Sequence, residues 1–130
     1  MLDTVPGYLA AGAGRIYGRA DMSDSVFKIC AREEWRAAEA AGRYDGNADD
    51  ARDGFIHLSA KDQVAGTLAK HYAGKTDLLL VSVDPDALGG ALKWEPSRGG
   101  ALFPHLYGSL PLSAVVEVAP IEAGPDGPPS

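Results

Sequence analysis

The stretch RDGFIHLSAKDQ, residues 52–63, places a histidine inside an apolar run, between a turn signal and the start of a helix. The run GFIHLS, 54–59, predicts a β-strand. Side chains alternate across a strand, so Ile56 and Leu58 share the face expected to pack in the core. The opposite face carries an aromatic and polar set: Phe55, His57 and Ser59.

A helix is predicted directly after this strand. Ser59, followed by Asp62 and Gln63, is typical of a helix N-cap. The helix is expected to continue through Tyr72, because apolar residues recur at four-residue spacing from Val64. The chain therefore passes from an antiparallel-type strand into an amphipathic helix.

The segment FPHLYG, 103–108, repeats the pattern of the first histidine strand. One side carries Phe103, His105 and Tyr107, and Leu106 lies on the other. If both histidine faces line one groove, two imidazoles and two hydroxyls converge between aromatic walls, as in many small-molecule pockets. The alternative is that His57 and His105 are partly buried and bonded to backbone or to a carboxylate, without a function in binding.

The segment WEPSRGGALF, 94–103, adds a glycine-rich loop with one arginine. Such a loop can turn backbone N–H groups toward an anion, and Arg98 could bind a phosphate or carboxylate. Alternatively, Gly99 and Gly100 only permit a tight turn, with Arg98 in water and paired to Glu95. Glu95 is the acid expected near the cleft, where it could orient an imidazole or act as a general acid or base.

Other residues with reactive side chains have weaker patterns. Lys28 could point into the same groove or lie exposed on an edge strand. Cys30 is expected to be a buried, inert thiol, and His71 to be structural or solvent-facing. Two histidines with one carboxylate could bind a metal, but no spacing secures such a site, so no metal is expected. A calcium loop at 45–56 is rejected, because its sixth and twelfth positions have the wrong residue types.

The remaining elements complete an α+β domain that is largely antiparallel. The residues 31–42 predict a helix with Trp35, Ala38 and Ala41 on one face, and the residues 43–53 predict an acidic loop. The predicted strands, six in all against two helices, are VFKIC at 26–30, GFIHLS, a central strand DLLLVSVD at 77–84, ALKWE at 91–95, HLYG at 105–108 and AVVEV at 114–118.

Composition limits the classes of protein. The chain has 130 residues, 45% hydrophobic and 23% charged, which fits one globular domain at 25–122 between poorly ordered tails at 1–24 and 123–130. The net charge of -6 argues against nucleic-acid binding. No segment has the length or pattern of a membrane span or a secretory signal, so the cytoplasm is expected. Met22 is an alternative start, and an arginine-bearing leader before it is an alternative to a plain tail.

Several motifs together resemble the bacterial family called domain of unknown function 952. They are VFKIC, the helix with Trp35, DGFIHLSAKDQV and LKWEPSRGGALFPHLYGSLPLSAV, and the resemblance covers about residues 26–121. It implies a fold similar to ADP-ribosyltransferases, in which two antiparallel sheets surround a cleft that holds NAD. By order of elements, the three key strand positions of those enzymes would fall near Lys28, His57 and His105. A histidine then stands where the enzymes have a catalytic glutamate.

The resemblance and the residues together predict a protein whose cleft binds NAD, ADP-ribose or another small phosphorylated ligand, with ADP-ribosyl transfer as one activity. The alternative is a non-catalytic domain that binds a metabolite or a protein. The predicted catalytic residues are His57, His105 and Glu95. The predicted ligand-binding residues are Lys28, Phe55, Ser59, Trp94, Arg98, Phe103 and Tyr107.

Overall fold

The computed structural model describes residues 15–16 and 25–122, which form nine strands and three α-helices. The strands are β1 (Arg15–Ile16), β2 (Val26–Ala31), β3 (Arg43–Tyr44), β4 (Ile56–His57), β5 (Leu78–Val83), β6 (Leu92–Pro96), β7 (Leu102–Leu106), β8 (Leu110–Pro111) and β9 (Val115–Ile121). The helices are α1 (Arg32–Ala41), α2 (Ala48–Asp53) and α3 (Val64–His71). None of the helices in these ranges is long and apolar enough to cross a membrane.

The strands form three sheets, all antiparallel, where the sequence predicted two. The first has the order β1-β9-β5-β2, the second pairs β3 with β8, and the third has the order β4-β7-β6. The α+β class is confirmed, and β5 is central as predicted. The prediction of six strands missed β1, β3 and β8, which have two residues each and carry no readable period. The strand β1 lies within the predicted N-terminal tail; the rest of both tails is outside the described residues.

The first sheet is buried on both faces at β2 and β5, which are apolar except for the buried Lys28 and Ser82. Val26 and Cys30 of β2 pack in the main core, together with Val81 of β5. On the other face, Ile29 and Leu78 pack against Leu68 of α3. The main core also includes Ile56, Leu58 and Leu106 of the third-sheet region, so the first and third sheets enclose one interior.

The helix α1 follows β2 directly and is fixed at both ends. Its Glu34 side chain accepts a hydrogen bond from the backbone N–H of Ala31 at 2.9 Å, and Gly42 ends it in the left-handed conformation. Trp35 and Ala38 are buried as predicted. Ala41 is exposed, which corrects the prediction that it shares the packed face, because the helix ends at this residue.

The segment predicted as an acidic loop, 43–53, contains β3 and the helix α2. Asn47 caps α2: its side chain accepts from the N–H of Asp50, and the Asp50 carboxylate accepts from the N–H of Asn47, each at 2.9 Å. Gly54 ends the helix with a φ of 86° and donates its N–H to the Asp50 carbonyl. Capping at both ends allows six residues to form a helix that hydrophobic periodicity did not reveal.

The predicted strand at 54–59 pairs within the third sheet only at Ile56–His57. Beyond it, Ser59 forms an isolated bridge with Phe27, and the two residues exchange backbone hydrogen bonds of 2.8 Å. Ser59 is therefore not the predicted N-cap; a 3-10 turn precedes α3, and its capping residue is Ala60, whose N–H donates to Gln63. The bridge brings the edge of β2 beside His57.

We predict that Gly54→Ala lowers the free energy of unfolding by about 1–2 kcal/mol, the cost of the left-handed conformation for an L side chain. No atom lies within 4 Å of the added Cβ, so the cost is conformational. Gly90→Ala is the matched control, because its site is equally open and has no positive φ. Urea denaturation of both variants measures the difference. Equal stability of the two would contradict the assigned backbone conformation.

Candidate functional site

The carboxylate of Asp50 is the centre of a buried hydrogen-bond network. Asp50 is 2% exposed, and its two oxygens accept four hydrogen bonds. Oδ2 accepts from Lys28 Nζ and from the N–H of Asn47, both at 2.9 Å. Oδ1 accepts from the N–H of His57 at 3.0 Å and from its ring Nδ1 at 2.5 Å. All lone-pair directions of the carboxylate are thus used by protein donors.

Lys28 supplies the charge that balances Asp50. It lies between Val26 and Cys30 on the core-facing side of β2 and is only 3% exposed. Its Nζ also donates to the carbonyl of His57 at 3.1 Å. The prediction that Lys28 points inward is observed, and the alternative of an exposed edge residue is wrong. A buried lysine requires such a partner, because an unpaired charge in the interior is very costly.

The pKa of Asp50 reflects this balance. Burial alone would raise it, but the hydrogen bonds from His57 and the charge of Lys28 outweigh burial and lower the pKa from 3.8 to about 2. Asp50 is therefore ionised at neutral pH. An ionised carboxylate only accepts hydrogen bonds, so Nδ1 of His57 carries a proton and donates a hydrogen bond to Asp50.

The second ring nitrogen of His57 faces another carboxylate. Nε2 lies 3.0 Å from Oδ2 of Asp53, the last residue of α2. The pKa of Asp53 is lowered, mainly by its hydrogen bond with Arg52. The ring of His57 is partly exposed, whereas the Asp50 carboxylate behind it is closed off from solvent. Nδ1 of His57 thus contacts the buried Asp50, and Nε2 contacts Asp53 at the surface.

His105 forms a second imidazole–carboxylate pair. Its Nδ1 lies 2.8 Å from Oε1 of Glu95, and the same oxygen accepts a 2.7 Å hydrogen bond from the Tyr107 hydroxyl. These two hydrogen bonds, with His105 the larger contributor, hold the pKa of Glu95 below its usual value. The Glu95 carboxylate in turn raises the pKa of Tyr107. The predicted role of Glu95 in orienting an imidazole has this contact as its structural basis.

The two histidines lie on one face of the third sheet, as their spacing predicted. His57 of β4 is the register partner of His105 of β7, and their ring centroids are 5.8 Å apart. Phe55 stacks on His105 with a centroid distance of 4.0 Å and contacts His57 at 4.7 Å. Its ring also contacts Tyr107 at 5.3 Å. The aromatic ring of Phe55 therefore packs against both imidazoles, which also contact each other edge to face.

A cavity of about 700 Å³ opens beside these rings. It lies along the outer edge of β2, between α2 and α3, and both imidazoles line it. The predicted site residues in its wall are Lys28, His57, Ser59, Phe103 and His105. Further polar lining comes from Arg52 and Lys70, and from Thr67, whose hydroxyl lies 3.0 Å from that of Ser59. His71 also lines the cavity and is exposed. The volume of the cavity is in the range of small-molecule sites.

Phe55 and Tyr107, predicted to bind the ligand, do not line the cavity; Phe55 stacks on His105, and Tyr107 donates to Glu95. Trp94 and Arg98 have other outcomes. Trp94 pairs with Pro104 and lies on the face opposite the histidines, 47% exposed, so the prediction that it lines the cleft is wrong. Strand alternation requires this, since Glu95 faces His105. Arg98 lies in a 3-10 turn with Gly99 and Gly100 at positive φ. Its side chain is outside the described part of the structure, and its role in anion binding remains a prediction.

Sequence reasoning missed the acids and the arginine of α2. Asp50, Arg52 and Asp53 were assigned to a loop and given no function. The spacing of Asn47 and Asp50 could have revealed the helix, because an Asn followed three residues later by an acid is a capping-box pattern. Nothing in the sequence alone pairs Asp50 with Lys28, which is 22 positions away.

Cys30 is buried, and burial raises the pKa of its thiol to about 12, as expected for an inert cysteine. Among residues 15–16 and 25–122, no three His, Cys, Asp or Glu side chains are grouped so that they could hold a metal ion.

Fold and site together define a small α+β protein of antiparallel sheets with two imidazole–carboxylate pairs at one cavity. A family model described as "Protein of unknown function (DUF952)" matches residues 29–118, and the chain belongs to this family. Protein CC0527 from Caulobacter crescentus has similar solved structures. Its crystal structure is 49% identical, covers 82% of this chain and 93% of that chain, and has a TM-score of 0.77. Its solution NMR structure is 50% identical, covers 79% of this chain and 89% of that chain, and has a TM-score of 0.70. No curated protein matches this chain.

We predict that Lys28→Met lowers the free energy of unfolding by about 3–5 kcal/mol, because it leaves the buried Asp50 charge unpaired. The double variant Lys28→Met/Asp50→Leu should cost less than the sum of the two single changes. Lys61→Met, at an exposed position, is the control and should change stability by less than about 0.5 kcal/mol. Urea denaturation closes the double-mutant cycle. Additive effects would show that the two charges are not coupled.

We predict that the free energy of unfolding depends on pH through the titration of Asp50. The pKa of Asp50 in the folded protein, about 2, lies below the ordinary aspartate value of 3.8. The stabilisation of the fold by Asp50 is therefore fully present above about pH 4 and is lost as the pH falls toward about 2. The shift corresponds to about 2 kcal/mol. Unfolding of the wild type and Asp50→Asn at several pH values measures it: the stability difference between them should shrink in acid. A difference that does not change with pH would contradict the assignment.

Proposed function

We propose that this protein binds a small phosphorylated ligand of the NAD or ADP-ribose type in the cavity, with His57 and His105 in contact with it. The observation that carries the proposal is the pair of imidazoles, each held by a carboxylate and 5.8 Å apart, in the wall of a cavity of about 700 Å³. Two imidazoles that share one face of the sheet and line one cavity are placed to contact the same ligand.

The cavity wall carries five carboxylates and four Lys or Arg side chains, so the support for an anionic ligand is local to its cationic residues. Nε2 of His57 already lies beside an anionic oxygen, that of Asp53, and a phosphate oxygen could take the same position. Lys70 and Lys75 add cationic groups along the α3 side of the cavity. The rings of Phe27 and Phe103 in the wall offer apolar surface to a base or a sugar.

The two imidazoles also support proton transfer to or from a bound ligand. Asp50 and Glu95 each bind Nδ1, which fixes the ring; Nε2 of His57 reaches a ligand only when it leaves Asp53. Glu95 and Asp50 thus act through the histidines as positioning residues. We propose general acid and base roles for His57 and His105, with cleavage of an N-glycosidic bond of NAD as the reaction that the family resemblance suggests. Such an activity would release nicotinamide.

The proposal extends to fold and location. The first and third sheets stand on either side of the main core, and the cavity lies at their junction by β2 and β4. This supports a relationship to the ADP-ribosyltransferase fold, whose sheets surround a cleft. We propose the cytoplasm as the location, because NAD and ADP-ribose are available there and the only cysteine, Cys30, is an unpaired thiol.

A non-catalytic binding domain is the second candidate. Both ring nitrogens of His57 are paired with carboxylates, and one oxygen of Glu95 accepts from both His105 and Tyr107. Such closed pairing favours a ligand that is bound and released unchanged. Incubation with NAD separates the two candidates, since only an enzyme releases nicotinamide.

We predict that ADP-ribose and NAD bind the wild type, and that His57→Gln and His105→Gln each weaken binding about tenfold or more, because a hydrogen bond to a charged group contributes about 1.5–3 kcal/mol. Isothermal titration calorimetry measures the affinity. Trp94→Ala is the matched control: it removes an aromatic side chain from the same sheet on the opposite face and should leave affinity unchanged.

Melting temperatures without ligand show whether each variant is folded. Binding that both glutamine variants retain at full strength would contradict the proposed site. Failure of NAD, ADP-ribose and simple nucleotides to bind or to raise the melting temperature of the wild type would contradict the ligand class.

A further inference from the structure

The carboxylate of Asp53 lies between the guanidinium of Arg52 and the imidazole of His57, and both side chains line the cavity. Arg52 donates from Nε to Oδ1 at 2.9 Å and from Nη2 to Oδ2 at 3.2 Å. Nε2 of His57 approaches Oδ2 from the other side at 3.0 Å. A guanidinium fork and an imidazole N–H thus converge on one pair of anionic oxygens.

We propose that this position is an anion subsite, and that a phosphate group of the ligand replaces the Asp53 carboxylate between Arg52 and His57. The inference rests on the proposed function and identifies where the phosphate of its ligand binds. Asp53 then acts as an internal competitor, and only anions that bind both donors better than this carboxylate occupy the subsite.

Displacement of Asp53 leaves the His57 side of the subsite in place. The Nδ1 contact with the buried Asp50 keeps the His57 ring oriented when Nε2 changes its partner. Nη1 of Arg52 donates to Asp49 at 3.1 Å, an exposed contact that does not use Nε or Nη2, so these two donors become available when Asp53 moves. The subsite is therefore preorganised on the side of His57.

The competing contact is easy to break. The Arg52 side chain is 67% exposed, and such ion pairs contribute little because water and salt screen them. Asp53 is the last residue of α2, and its described side-chain contacts are those with Arg52 and His57. A phosphate brings more charge and more acceptor oxygens than a carboxylate, and Arg binds it in the same bidentate manner.

The test compares Asp53→Ala, Arg52→Gln and Asp62→Ala with the wild type, by calorimetric titration with ADP-ribose and with inorganic phosphate. Asp53→Ala should bind both about two- to fivefold more tightly, the factor by which an exposed ion pair of this kind competes. Arg52→Gln should bind both about tenfold more weakly, because a bidentate charged contact is lost. Asp62→Ala makes the same charge change at an exposed position outside the cavity wall and should match the wild type.

The outcomes separate the subsite from the function. If ADP-ribose binds the wild type but Asp53→Ala does not bind more tightly, or Arg52→Gln binds equally well, the subsite is wrong and the proposed function stands. An equal gain in Asp62→Ala would assign the effect to net charge and overturn the subsite. Absence of binding in all four proteins overturns both. Asp53, Arg52 and Asp62 are all at the surface, and circular dichroism verifies that each variant is folded.

Discussion

The buried ion pair between Lys28 and Asp50 is the constraint on which the site depends. It joins three elements, since Lys28 belongs to β2, Asp50 to α2, and both bond to His57 of β4. Two charges removed from water are tolerated only when their hydrogen-bonding capacity is filled, and here the carboxylate accepts four hydrogen bonds. The pair therefore fixes α2 and β4 against the edge of the first sheet.

From this constraint follows the position of the imidazoles. Asp50 fixes the ring of His57, the antiparallel register places His105 beside it, and Glu95 holds the second ring. The two nitrogens of the His57 ring differ in their partners. The buried carboxylate of Asp50 holds Nδ1 of His57 in place, whereas Asp53, which contacts Nε2, is partly exposed and exchangeable. A fixed ring with an exchangeable outer partner is what recognition of a small anion requires.

Much of the site could be predicted from strand alternation. The paired F-x-H-L segments placed His57 and His105 on matching faces, because a two-residue period is local information. The same rule, applied to β6, would have excluded Trp94 once Glu95 was directed to His105. The α+β class and the central position of β5 followed from apolar runs and their order. These features depend on neighbours in the sequence.

The rest depended on distant partners. The sequence left open whether Lys28 is buried, since a lysine on an edge strand is normally exposed, and its partner lies in a segment that resembles an acidic loop. The short helix α2 has no hydrophobic period and is fixed by caps, so its acids had no assigned face. The second sheet, formed by the two-residue strands β3 and β8, arises from tertiary contacts that no local pattern encodes.

The most direct measurement concerns the proton between His57 and Asp50. In protein labelled with nitrogen-15 at histidine, two-dimensional NMR near neutral pH reports which ring nitrogen carries a proton. The structure requires a proton on Nδ1 of His57, exchanging slowly with water because it is held by a buried carboxylate. A His57 ring that is protonated at Nε2 alone, with no proton on Nδ1, would contradict the network and the site built on it.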